Sequence, residues 1–316
     1  MPLDDVLPLD LDREYSPSSC IDDITGYLGE YTTRSSAARE TQLCHRFRYG
    51  PEPLEELDYF PAARPGAPLQ VYIHGGYWQE LGVGDSSFAA PGFLREGWGF
   101  AALGYGLAPV YRLDDIVAMV REGLWWLCRN AARLPGSPGE IHLSGSSAGA
   151  HLVAMALLDG WLPEGRHPAD VFAGATLLSG VYDLEPLCPT YINDALGLDQ
   201  AAAARNSPLF LLPDRLPPLT IAIGENETGE FGRQHRCFAE AAKPRAVSVD
   251  EFVVPGRNHF DLPFDLGEAD TRLGDAVFAH AERHLSLAPR KSIVDKLFEQ
   301  NPAPKRLPAP ADGTSS

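Results

Sequence analysis

A chain of 316 residues is long enough to bury a large core, and a single domain of this size is ordinary among α/β architectures. Hydrophobic residues at 44% and charged residues at 22% are globular proportions, which exclude a disordered or fibrous protein. The formal net charge of −17 argues against nucleic-acid binding and against docking on an anionic membrane surface, while leaving the charge of any single pocket open.

Residues 1–40 are polar and mixed. Tyr15-Ser16-Pro17-Ser18 reads as a turn, and a weakly patterned helix is allowed between Ile21 and Arg39. Leu43 to Tyr49 and Leu54 to Phe60, parted by Gly50-Pro51-Glu52-Pro53, read as an antiparallel strand pair. After a proline-rich connection, Leu69 to His74 reads as a buried strand that stops at Gly75-Gly76, and Gly99 to Tyr105 as another. Asp114 starts a helix whose apolar stripe is Ile116, Val117, Val120, Leu124, Leu127 and Cys128, ending near Leu134-Pro135-Gly136.

An apolar run from Ile141 then meets Gly145-Ser146-Ser147-Ala148-Gly149, and a helix from Ala148 to Leu158 follows. Asp170 to Ser179 is the next strand, and 182–218 is a long, proline-punctuated stretch expected to form a small cap. Leu219 to Gly224 reads as a strand, Glu230 to Ala242 as a helix, Ala246 to Val254 as a final strand and Glu268 to Leu287 as a closing helix. Residues 288–316 hold a short amphipathic piece, Ile293 to Phe298, and then a Pro/Ala/Gly/Ser tail expected to be disordered. Strands alternate with helices from Leu69 onward, which predicts a mainly parallel sheet with helices on both faces. The expected plan is a partly cap-forming segment over 1–40, a main α/β domain over 41–287 with a cap insertion at 182–218, and the tail.

The cysteines Cys20, Cys44, Cys128, Cys188 and Cys237 are odd in number, widely spaced and free of any C-x-x-C pattern. That suits reduced thiols in a cytoplasmic protein better than a disulfide framework or a zinc site. The acidic start Met1-Pro2-Leu3-Asp4-Asp5 lacks the basic-then-apolar order of a signal peptide, and no stretch approaches the roughly 18 apolar residues of a membrane span. The expectation is a soluble protein without membrane or nucleic-acid partners; the sequence leaves room for a homodimer without setting the oligomeric state.

Strand, then Gly-x-Ser-x-Gly, then helix is the nucleophile elbow of the α/β-hydrolase fold. A serine at so sharp a turn sits in strained backbone, and Gly145 and Gly149 remove Cβ atoms that would collide with neighbouring backbone. Ser147, between the two glycines, is the candidate nucleophile; Ser146 precedes it. A Gly/Ser-rich loop can match five residues by accident, but here the strand and helix flank it in the required order.

A serine hydroxyl needs a base to take its proton. Among nine histidines, His259 follows the last strand in Gly256-Arg257-Asn258-His259-Phe260, where this fold delivers its histidine. The imidazole in turn needs a carboxylate that fixes its tautomer. Gly224-Glu225-Asn226-Glu227 offers candidates after the right strand, and Asp183 after the preceding strand competes; Glu227 ranks ahead of Glu225, and both ahead of Asp183. For the oxyanion of an acyl-transfer transition state, backbone N–H groups of Gly76 and Tyr77 in His74-Gly75-Gly76-Tyr77-Trp78, with Ala148 after the nucleophile, are the candidates. His74 is read as bracing that loop.

The His74-Gly75-Gly76-Tyr77-Trp78 run resembles the kynurenine formamidase (arylformamidase) family of α/β hydrolases. Tyr49-Gly50 before Leu57-Asp58-Tyr59-Phe60, Tyr105 with Leu107-Ala108-Pro109, Ser179-Gly180-Val181-Tyr182-Asp183-Leu184 and Gly256-Arg257-Asn258-His259-Phe260-Asp261 agree with it. The resemblance spans Tyr15 to Leu287. It implies Ser147 as nucleophile, His259 as base and Glu227 as acid. The family usually carries aspartate at the acid position, before a Glu-Phe pair matching Glu230-Phe231, so glutamate here is a departure by one methylene. The implied reaction is attack on the formyl carbonyl of an aryl formamide such as N-formylkynurenine, through a formyl-enzyme, with no metal or organic cofactor. Tyr77, Trp78, Tyr182 and Phe260 are candidate walls around an aromatic small-molecule formamide or ester. Partners for the ammonium and carboxylate of a free amino acid are not identifiable in the sequence. The alternatives are a carboxylesterase acting on short acyl esters, or a non-catalytic binder on the same scaffold.

Overall fold

Alternating apolar runs and amphipathic stretches resolve into one eight-stranded sheet in the computed structural model, which describes residues 10–285. The expected tail over 288–316, with Ile293 to Phe298, lies outside the described residues. The strands are β1 (His45–Arg48), β2 (Glu56–Phe60), β3 (Pro68–Ile73), β4 (Gly99–Leu103), β5 (Glu140–Ser146), β6 (Phe172–Leu178), β7 (Leu219–Asn226) and β8 (Val249–Asn258). Their spatial order is β1-β2-β4-β3-β5-β6-β7-β8. The Gly50-Pro51 break makes β1 and β2 an antiparallel pair, with His45 opposite Tyr59 and Arg48 opposite Glu56. β2 also runs antiparallel to β4, and from β4 to β8 every pairing is parallel.

A parallel sheet is covered on both faces, so its strands read as continuous apolar runs. One face packs beneath the helices Leu113–Asn130, Ala148–Ala156 and Gly229–Ala242, whose Ile116, Leu124, Leu152, Phe231 and Phe238 join its core. The stripe expected from Ile116 to Cys128 is the buried side of the first of these. The other face packs beneath Thr25–Thr41, Ala90–Arg95 and Arg272–Leu285, through Tyr31, Phe93, Leu273 and Val277. This is the α/β architecture with helices on both faces that the alternation predicts. Among the described residues no helix is long and apolar enough to cross a membrane.

Several boundaries differ from those read in the sequence. β7 runs past Gly224 to Asn226, with a register shift against β8 between those two residues, and β8 itself runs on to Asn258. The closing helix begins at Arg272 rather than Glu268. The stretch 182–218 carries only short helices, Asn193–Leu196 and Gln200–Arg205, with single helical turns.

Candidate active site

The carboxyl ends of β3, β5, β7 and β8 lead directly into Gly75-Gly76, Ser147, Glu227 and His259, so parallel strands deliver four loops to one edge of the sheet. Ser147 sits at φ 57° and ψ −120°, a backbone region that a non-glycine residue occupies only when its surroundings enforce it. Two contacts enforce it. The Ser147 N–H donates to the Leu178 carbonyl at the end of β6 at 2.8 Å, and the Ser147 carbonyl accepts from the His151 N–H in the following helix at 3.1 Å. The flanking glycines are there for space: a Cβ on Gly149 would lie 2.0 Å from the Ile73 carbonyl oxygen, and one on Gly145 would lie 2.4 Å from the Gly149 carbonyl carbon. The helix can therefore start close against β3 and β5.

Of the three candidate acids, Glu227 is the one whose carboxylate reaches the imidazole. Its Oε2 lies 2.7 Å from His259 Nδ1, with both side chains buried. Its Oε1 accepts from the Ser179 hydroxyl at 2.5 Å and from the Gly224 N–H at 2.9 Å, so the carboxylate is held at both oxygens. Ser179 was not singled out in the sequence; its own positive φ of 48° at the end of β6 is the device that turns it toward Glu227. Glu225 is exposed and accepts from the Gly256 N–H, while Asp183 accepts from the Glu185 N–H and lies 3.7 Å from Arg233. Phe231 and Phe260 pack edge-on against the His259 ring at 4.6 and 5.3 Å. The histidine loop closes on itself, with Asn258 Oδ1 accepting from the Phe260 and Asp261 N–H groups and Asp261 accepting from the Asn258 N–H. Tyr31 ties it to the Thr25–Thr41 helix by donating to the Phe260 carbonyl at 2.6 Å. Among the described residues no hydrogen bond joins the Ser147 hydroxyl to His259, a contact that in unliganded enzymes often tightens only around substrate.

Ser147 and His259 line one cavity of about 210 Å³, whose wall also includes Gly75, Gly76, Tyr77 and Phe260. Gly76, Tyr77 and Trp78 have φ of 91°, 49° and 60°, a run of left-handed residues that coils the loop against the elbow. Neither the Gly76 nor the Tyr77 N–H has a backbone acceptor among the described residues, and the Ala148 N–H is the first of its helix, where no partner lies within the helix. His74 stacks on Tyr105 at 4.1 Å and 8°, with Nδ1 2.9 Å from the Gly75 carbonyl, and burial pushes its pKa down to about 4.

Two expected wall residues are elsewhere. Trp78 is fully buried and meets His151 edge-on at 4.9 Å, because the left-handed turn directs its ring under the elbow helix. Tyr182 stacks on Phe238 at 3.9 Å in the core beside the Gly229–Ala242 helix. Neither lines the cavity. Their places are taken by residues not named as walls in the sequence reading, from the two stretches given there to the cap: Pro17, Ser18, Ile24, Leu28 and Tyr31 from the N-terminal segment, and Tyr191 and Ile192 from the 182–218 stretch. Ile24, Leu28 and Tyr31 recur at i, i+4 and i+7, a helical stripe that could have flagged them. Gln79 and Glu80 complete one side; among the described residues lining the cavity there is no Lys or Arg. No group of three His, Cys, Asp or Glu side chains converges as a metal site among the described residues.

Comparison with known proteins agrees with this fold. The family model BD-FAE matches residues 57–162, the stretch from β2 through the elbow helix. A solved Silicibacter protein, described provisionally as a thioesterase, superposes with a TM-score of 0.75 at 26% identity, covering 86% of this chain and all of its own. Kynurenine formamidase of Danio rerio is 33% identical over 80% of this chain and 89% of its own length. That of Salmo salar is 33% identical over 84% and 93%. Identity of one third, sustained over four-fifths or more of this chain and about nine-tenths of each relative, makes this chain a member of the kynurenine formamidase family of α/β hydrolases.

Proposed function

We propose that the protein is a serine hydrolase that cleaves an aryl formamide, of which N-formylkynurenine is the type, through a formyl-enzyme. The observation that carries this reading is the Glu227–His259 pair, closed at 2.7 Å, whose histidine shares a cavity with a serine at the strained elbow position. In the reading, Glu227 holds the Nδ1–H tautomer, so that the neutral Nε2 accepts the Ser147 proton as the hydroxyl attacks the formyl carbon. Negative charge on the carbonyl oxygen is met by N–H groups of Gly76, Tyr77 and Ala148. The imidazolium then protonates the leaving nitrogen, the arylamine departs, and water activated by His259 hydrolyses the formyl ester to formate. Tyr77 and Phe260 are the aromatic walls this reading uses. A cytoplasmic setting, with a small molecule as the partner, fits the unpaired thiols.

A second reading, cleavage of short acyl esters, is favoured by one feature of the cavity. An amino-acid substrate brings a carboxylate, and the described lining supplies no cationic side chain to receive it. Neutral formyl anilides and short acyl esters need no such partner. Turnover of a matched series, formyl anilides with and without an amino-acid side chain beside acetyl esters, decides between the readings. Failure of every member, together with failure of a fluorophosphonate to label Ser147, would sink both and revive the non-catalytic binder.

A further inference from the structure

The strongest unassigned feature of the molecule is the way residues 11–20 cross the active-site edge. We propose that this segment is a strap that positions the oxyanion loop relative to the acid loop, with the Tyr77 phenol as the positioning group that fastens it; this rests on the hydrolase reading above. At one end the Tyr77 hydroxyl donates to the Tyr15 carbonyl at 2.5 Å. At the other, the Thr228 hydroxyl, one residue from Glu227, donates to the Glu14 carbonyl, and the Glu230 N–H donates to the Glu14 carboxylate at 3.0 Å. Between them Tyr15 is fully buried. Its hydroxyl donates to Glu230 at 2.8 Å and accepts from Gln234 at 3.0 Å, while its ring packs on Phe231, the residue edge-on to His259. Past Tyr15 the segment turns over the cavity, where Pro17 and Ser18 form part of the wall.

The physical need for such a fastening lies in the loop it holds. Tyr77 and Trp78 are non-glycine residues at positive φ, and conformations of that kind persist only when contacts over-determine them. An oxyanion hole works by donors fixed in advance at the place where charge develops, so a loop free to relax loses transition-state binding while substrate binding changes little. The Tyr77 side chain thus acts through its own backbone.

The test compares wild type with Tyr77→Phe, Thr228→Val and the double variant, using the best substrate from the matched series and an aryl trifluoromethyl ketone. The ketone forms a hemiketal with serine and sets its oxyanion in the hole. The expected result for Tyr77→Phe is a fall in kcat of about tenfold, KM within about twofold, and a rise in the ketone Ki of about tenfold. The double variant should lose less than the product of the single losses, since both bonds fasten one strap. Unchanged kcat and Ki in Tyr77→Phe, a change confined to KM, or fully multiplicative losses would each overturn the proposal. Should Tyr77→Phe fail to fold, Thr228→Val carries the test from the other end, and unchanged kcat and Ki there overturn it equally. A wild type that neither turns over the series nor binds the ketone is a different failure: it removes the hydrolase reading itself.

Discussion

Glu227→Gln is the sharpest perturbation of the site, because the hydrogen bonds around the carboxylate dictate how the amide must sit. Oε1 accepts from the Gly224 N–H, a group that can only donate, and from the Ser179 hydroxyl. A glutamine must keep its carbonyl oxygen there, since an NH₂ facing the Gly224 N–H would set donor against donor. The NH₂ therefore replaces Oε2, 2.7 Å from His259 Nδ1. That stabilises the tautomer with the proton on Nε2, the nitrogen that must accept from Ser147, and removes the negative charge that would stabilise the imidazolium. The expected loss in kcat is about 10³- to 10⁴-fold, about 4 to 5.5 kcal/mol of barrier at about 1.36 kcal/mol per tenfold. Steady-state turnover of a formyl anilide or acetyl ester measures it, with the melting temperature as a check on folding. Retention of more than a tenth of the wild-type rate, or an equal loss in Glu225→Gln or Asp183→Asn, would refute the reasoning.

Ser147→Ala should lower turnover by about 10⁴-fold or more while leaving the fold intact, and Ser146→Ala should not; fluorophosphonate labelling of each variant checks the assignment independently. His259→Ala should abolish nearly all of the rate; wild-type turnover in the variant would exclude His259 as the base. Stability should fall as pH drops from about 6.5 toward 4, because burial lowers the pKa of both His74 and His151 to about 4. The unfolded chain binds these protons at about 6.5, so each histidine contributes fully above that pH and up to about 3 kcal/mol is lost on passing below the folded value. Thermal melts at pH 7 and pH 4.5 should show a smaller drop for His151→Gln than for wild type, and an identical drop would count against the assignment.

What was legible in the sequence was whatever is written locally. The elbow is a strand, two glycines at fixed spacing and a helix, and the steric reason for the glycines is visible in the contacts a Cβ would make at Gly145 and Gly149. The histidine loop is similarly local, since Asn258 and Asp261 close it within a few residues. The N-terminal wall left one local trace, the stripe of Ile24, Leu28 and Tyr31, and its hold on the rest of the molecule left none. Its fastening contacts join residues far apart in the chain, 62 positions for Tyr15 with Tyr77 and 215 for Tyr15 with Glu230, and no period of two or 3.6 reports such a pairing. Trp78 and Tyr182 were misread for a related reason. An aromatic residue beside a catalytic motif is equally suited to wall or core, and the direction of its ring is decided by backbone turns that composition does not encode.

The acid shows most clearly where pattern stops and geometry begins. In a regular extended strand, residues two apart face the same way, so Glu225 and Glu227 would be interchangeable by period alone. The end of β7 at Asn226 breaks that equivalence, because Glu227 lies past the strand. Glu225 is left on the exposed side, bonded to the Gly256 N–H of β8, while Glu227 turns inward to the Gly224 N–H, Ser179 and His259. The glutamate side chain spans a fixed frame: one oxygen anchored to the strand end, the other on the imidazole. An aspartate on the same backbone would reach one of these anchors and fall short of the other. Glutamate at this position is therefore coupled to the turn the chain takes where β7 ends at Asn226, and the two must be read together.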